Sequence, residues 1–169
     1  MATDEAAVAS EPRLRAASLL GGAIASTVAL MRRNAKWAPG YGGAGGAEDP
    51  LLQGFRTLRR QLYAWRDWAA VAPLEYLAPF LAVVRSDETS GPITGAALQA
   101  LYAVLTADLV QPDAPGAADA MHALVDAVTH CRFEARVLCG LVGAPLRARQ
   151  RAACATLALT ALAHCWRAR

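Results

Sequence analysis

Pro79-Phe80-Leu81-Ala82-Val83-Val84-Arg85-Ser86-Asp87-Glu88-Thr89-Ser90-Gly91-Pro92-Ile93-Thr94 decides the fold. Its first six residues are apolar and continue a pattern begun at Pro73, with Tyr76, Leu77, Phe80, Leu81 and Val84 recurring at helical spacing. Arg85 to Gly91 is polar and rich in helix-capping residue types. Pro92 then stands where a proline is tolerated, in the first turn of a new helix. Ile93, Ala97, Leu101, Val104 and Leu105 give that helix its inward stripe. The block therefore reads as helix, tight connector, helix. Pro79 interrupts the first pattern: it kinks this helix, or the helix begins after it.

The same grammar extends both ways. Upstream, Leu20, Ile24, Val28 and Met31 mark one face of a helix over about 13–37, with Arg32, Arg33 and Lys36 in its last turn, where cations complement the helix dipole. Gly21 and Gly22 weaken that helix or mark a close backbone approach. A glycine-rich loop follows at 39–46. Asp49-Pro50 is an N-cap with proline at the first helical position, and Leu51, Leu52, Phe55, Leu58, Leu62 and Trp65 form the next stripe. Arg56, Arg59, Arg60 and Arg66 fall on its other faces and read as solvated. Downstream, a proline-rich turn at 111–116 leads to a helix over 117–131, with Met121, Leu124, Val125 and Val128 inward. Residues 1–12 are expected to be a frayed lead-in. No segment alternates as a strand does. The expectation is an all-α domain over 13–134, a bundle or an armadillo/HEAT-like stack of about five to six helices.

Composition narrows the function. The chain has 169 residues, 55% of them hydrophobic and 18% charged, which suits one domain with a real core. Its net charge of +3 is a sum of unlike parts. Residues 1–134 hold 11 basic and 14 acidic residues, whereas 135–169 hold six arginines and no acid. The overall basicity is thus no argument for a nucleic-acid partner, and none is expected. The apolar runs at 16–31 and 152–165 fall short of a bilayer span, and neither a signal peptide nor a tail anchor is expected. Cys131, Cys139, Cys154 and Cys165 form no metal-ligand spacing, despite His130 and His164 beside two of them, and read as small core thiols in a reducing compartment. No phosphate-binding, dinucleotide, nucleophile-elbow or zinc-protease motif occurs. Adjacent Asp87 and Glu88 point apart on any regular element and do not form an acid/base pair. No catalytic residue, cofactor or metal is expected; apolar faces with scattered arginines suit a protein that binds proteins.

Four stretches carry a family resemblance. They are Leu30-Met31-Arg32-Arg33-Asn34-Ala35-Lys36-Trp37; Asp49-Pro50-Leu51-Leu52 with Phe55, Leu58 and Leu62; the block at 79–94; and Asp119-Ala120-Met121-His122 with Val125-Asp126-Ala127-Val128-Thr129-His130-Cys131-Arg132-Phe133-Glu134. In this order and spacing, over about 20–134, they resemble the N-terminal dimerisation and cyclophilin-binding (DCB) domain of large Sec7-type Arf guanine-nucleotide exchange factors. Arg59-Arg60-Gln61 with Trp65, and the ending Cys131-Arg132-Phe133-Glu134, look most like the plant GNOM form of the GBF/Gea/GNOM branch.

The resemblance implies an armadillo-like regulatory domain that acts in Golgi and endosomal vesicle traffic. It implies self-association as a homodimer, contact with the adjacent homology domain, cyclophilin as a further partner, and only peripheral contact with membranes from the cytoplasm. The exchange reaction would belong to the Sec7 domain, whose motif is absent here. The implied contact residues are Arg32, Arg33, Asn34, Trp37, Arg85, Ser86, Asp87, Glu88, Thr89, Pro92, Ile93, Thr94, Asp126, Arg132 and Phe133. As geometry, 85–94 would cap two helix ends and lock their angle, and Arg132 and Phe133 would close the next helix. After Glu134 the resemblance fails. Residues 135–169 are expected not to be the family's native continuation, as in a truncated or misread gene model; the alternative is a divergent last helix over 150–167. A free-standing helical adaptor and a small peripheral membrane protein are the competing readings.

Overall fold

A computed structural model describes the backbone of residues 2–34 and 49–131, with side chains from Leu14 onward. Lys36, Trp37, Arg132 and Phe133, the glycine-rich loop and the whole of 135–169 lie outside the described residues, as does the helix expected over 150–167.

Five α-helices and no strand make up the described part: α1 (Ala2–Arg33), α2 (Pro50–Ala64), α3 (Pro73–Arg85), α4 (Gly91–Thr106) and α5 (Ala117–Thr129). α1 packs on α2 and α4, while α3 packs on α2, α4 and α5. The result is an all-α, HEAT-like arrangement. α5 rests on α3 alone among the described helices, so it forms one end of the stack.

The helix starts follow the local chemistry. Asp49 accepts the Leu51 N–H at 2.9 Å, and Pro50 fills the first helical position. Pro73 and Pro92 sit likewise in the first turns of α3 and α4. α3 starts before Pro79 and carries it internally, at the loss of one backbone hydrogen bond. Gly116, at φ +70°, caps α5 from the left-handed region, where a Cβ would be strained.

One continuous core joins all five helices. Leu20, Ile24 and Met31 of α1, Phe55, Leu58 and Leu62 of α2, Leu77, Phe80 and Leu81 of α3 and Leu98, Leu101 and Leu105 of α4 belong to one buried cluster, which Met121 and Leu124 of α5 extend. Phe55 and Phe80 pack edge to face, with ring centroids 5.1 Å apart. Trp65, Trp68 and Tyr76 form a second aromatic cluster at 5.3–6.4 Å. The Tyr76 hydroxyl donates to the Leu109 carbonyl at 2.9 Å, tying α3 to the segment after α4. Burial pushes this phenol far above its ordinary range, so it remains a donor at every physiological pH.

Several expectations need correction. The backbone is helical from Ala2, within the segment where a frayed lead-in was expected. α1 ends at Arg33 rather than near residue 37. Its buried stripe runs through Ala16, Leu20, Ile24, Thr27 and Met31, with Val28 only half-buried. Thr27 fits because its hydroxyl donates to the Ala23 carbonyl at 2.9 Å. Val125 and Cys131 are half-buried rather than core. No close approach explains the glycines at 21 and 22: a Cβ at either would meet nothing within 4 Å. Leu14–Arg33 does reach the length and mean hydropathy, 1.5, of a membrane span. The buried stripe of this segment packs against α2 and α4.

Candidate protein-binding surfaces

The connector between α3 and α4 is built from two hydroxyls. The Thr89 hydroxyl lies 3.0 Å from the Val83 carbonyl and 3.0 Å from the Ser86 carbonyl, sharing its proton between acceptors at the end of α3. Its oxygen also lies 3.0 Å from the Thr94 hydroxyl, inside the first turn of α4. Thr94 is buried and reaches the Ser90 carbonyl at 3.3 Å. Ser90 itself makes no side-chain cap bond. Thus one polar pair joins the end of one helix to the start of the next, and the chain need not rely on an N-cap side chain. Ser86 is half-buried, and its hydroxyl accepts the Glu88 N–H at 3.3 Å. Ile93 is core.

Arg85 leaves the connector sideways. Its guanidinium donates to the Ala123 carbonyl at 3.0 Å and to Asp126 at 3.1 Å, fixing α5 against the end of α3. His130 lies 3.1 Å from the other Asp126 oxygen. Both Arg85 and Asp126 are about half exposed (46% and 57%), so the pair aligns the two helices while contributing little stability.

The expected contact residues divide accordingly. Thr89, Thr94, Ile93, Arg85 and Asp126 hold helices together. Asp87 and Glu88 are exposed on the connector, and Pro92 is exposed in the first turn of α4. Arg32 and Arg33 are exposed at the end of α1, and Asn34 is half-buried beside them. The structure does not bring the connector and the end of α1 into one site: Arg32 instead faces α2. There Ile24, Val28, Leu52 and Phe55 line a groove of about 200 Å3 that Arg32, Arg56 and Arg59 border. Arg56 and Arg59 are exposed, as expected of a solvated face, and they also border this groove. Their spacing of three residues on α2 was the available signal, but the partner helix that completes the groove was not visible in one dimension. Among the described residues, no three metal-ligating side chains cluster.

The described residues form an all-helical stack that presents exposed surfaces and a groove. No family model matches the chain. The chain is 43% identical over 113 residues to the Arf guanine-nucleotide exchange factor GNOM of Arabidopsis thaliana, a match covering 66% of this chain and 8% of that protein. It is 40% identical over 120 residues to the exchange factor GNL1 of the same plant, covering 70% of this chain and 8% of GNL1. It is also 37% identical over 86 residues to Arf exchange factor 2 of Saccharomyces cerevisiae, covering 51% of this chain and 6% of the yeast protein. This chain is therefore homologous to a short region of Arf guanine-nucleotide exchange factors and spans less than a tenth of their length.

Proposed function

We propose that this chain is a regulatory protein-interaction domain, equivalent to the N-terminal dimerisation and cyclophilin-binding region of the large Arf exchange factors. The observation that carries the reading is the 43% identity to GNOM over 113 residues, confined to 8% of that protein. A match so short leaves most of the relative outside the region shared with this chain, and in this reading the exchange reaction belongs to that remainder. The shared part is a helical stack without a constellation for catalysis among its described residues, which suits docking.

In this reading the chain scaffolds an exchange factor. Its partners are a second copy or the neighbouring homology domain, with a cyclophilin as a further partner. It works in the cytoplasm, held peripherally at Golgi or endosomal membranes, where vesicle traffic uses Arf; the chain alone does not release nucleotide from Arf. Residues 87, 88, 92, 32 and 33 are the exposed members of the expected set and carry the contacts.

Two assays test this. The purified chain is mixed with a fragment of the plant exchange factor that lies outside the matched region, and co-elution is followed by size-exclusion chromatography. A complex, or a concentration-dependent dimer, is expected; neither forming would remove the reading. Fluorescent-GDP release from Arf with the chain added is expected to stay at the uncatalysed rate, and acceleration would contradict the non-catalytic assignment.

A further inference from the structure

α1 and α2 bring three arginines to one groove. Arg32 comes from the last turn of α1, and Arg56 and Arg59 come from consecutive turns of α2. Between them lies an apolar floor that includes Val28 and Leu52, both half-buried. The space, about 200 Å3, admits one or two apolar side chains and no larger element. Neither α2 nor Leu14–Arg33 contains an acidic residue. Over 14–66 the sequence holds eight basic residues against two acidic ones, while 73–131 holds one arginine against seven acids. A helix face needed only for solubility is served as well by mixed charges, which avoid like-charge repulsion.

We propose that this groove takes an acidic, amphipathic helical segment of a partner protein. Its apolar ridge would rest on Val28 and Leu52, and its carboxylates would face Arg32 and Arg59. Charge complementarity selects the sign of the partner. Shape selects a ridge over a membrane: a bilayer surface is flat and meets a convex basic face, whereas these arginines surround a concavity. On α5, the helix at the acidic end of the described stack, the exposed positions are Ala118, Asp119, His122, Asp126 and Thr129, which offer charge without an apolar ridge. The inference deepens the protein-binding reading above and rests on it.

The test uses the full chain and a fluorescein-labelled peptide roughly four helical turns long. The peptide carries leucine at i, i+3, i+4 and i+7 and glutamate elsewhere, with a scrambled peptide of equal composition as control. Anisotropy should report saturable, salt-sensitive binding of the amphipathic peptide and weaker binding of the scrambled one. The R32Q/R59Q double variant should weaken binding roughly tenfold. Ala29, exposed on the groove wall, provides an independent check: A29W fills the space without changing charge and should abolish binding while the helical circular dichroism is unchanged. R60Q, outside the groove, should change affinity by less than about twofold. Equal binding of the scrambled peptide, or an A29W variant that binds normally, would overturn the proposal. So would binding to anionic vesicles that A29W leaves intact and R32Q/R59Q removes. Self-association lost in A29W would overturn it too, by making a second copy the occupant. If the wild-type chain still co-elutes with the exchange-factor fragment while the peptide fails to bind, the groove inference falls alone. If co-elution fails as well, the broader reading falls.

Discussion

Residues 14–66 and 73–131 are built by one rule and finished by opposite ones. Both halves make helices with an apolar stripe and a proline in a first turn, and both feed a single core in which Phe55 of α2 meets Phe80 of α3. Their surfaces diverge. The first half is basic and the second acidic, with Arg85 as the one cation of α3 to α5. The stacking interface constrains the buried stripe, so stripes resemble each other across the halves. It does not constrain the solvent side, so charge there is left to serve partners. The modest net charge of residues 1–134 conceals this polarity.

The largest expected effect comes where the halves join. Phe80→Ala leaves a cavity on both sides of the seam and should cost about 3–5 kcal/mol. Urea unfolding followed separately by tryptophan fluorescence and by circular dichroism should lose stability in one transition. Two separated transitions would show the halves to be independent units. Within the acidic half, Thr89→Val strips the connector of its shared hydroxyl and leaves the Val83 and Ser86 carbonyls short of a donor. A loss of about 1–2 kcal/mol is expected in the same assay. Within the basic half, Gly22→Ala should raise stability by about 0.5–1 kcal/mol, since the site is open and helical. A decrease in thermal midpoint would mean that the glycine serves a contact. The smallest effect belongs to the acidic surface: Asp126→Asn removes an exposed ion pair and should cost below about 1 kcal/mol, with the difference shrinking as salt is added.

Much of this architecture was legible in one dimension, and the misses have physical causes. The proline starts at Pro50, Pro73 and Pro92 and the stripe of α3 and α4 follow from rules that act within a few residues. Val28 and Thr27 could not be ranked by hydrophobicity, because a threonine that bonds back to the Ala23 carbonyl buries as readily as an apolar neighbour. Ser90 occupies the N-cap position of α4 without a side-chain bond, and the connector is held instead by Thr89 and Thr94, whose bonds depend on where α3 ends. Arg85 and Asp126 are 41 residues apart, and Arg32 and Arg59 stand on different helices; such pairs exist only after packing. The sequence therefore exposed which residues build helices better than which residues share a surface.

The most direct measurement of the central claim is a binding isotherm between the purified chain and the part of GNOM that lies outside their shared region. The account predicts saturable binding with a dissociation constant in the range of about 1 µM to 1 mM, or a homodimer in place of it. A chain that stays monomeric and leaves that fragment unbound at the top of this range would contradict it.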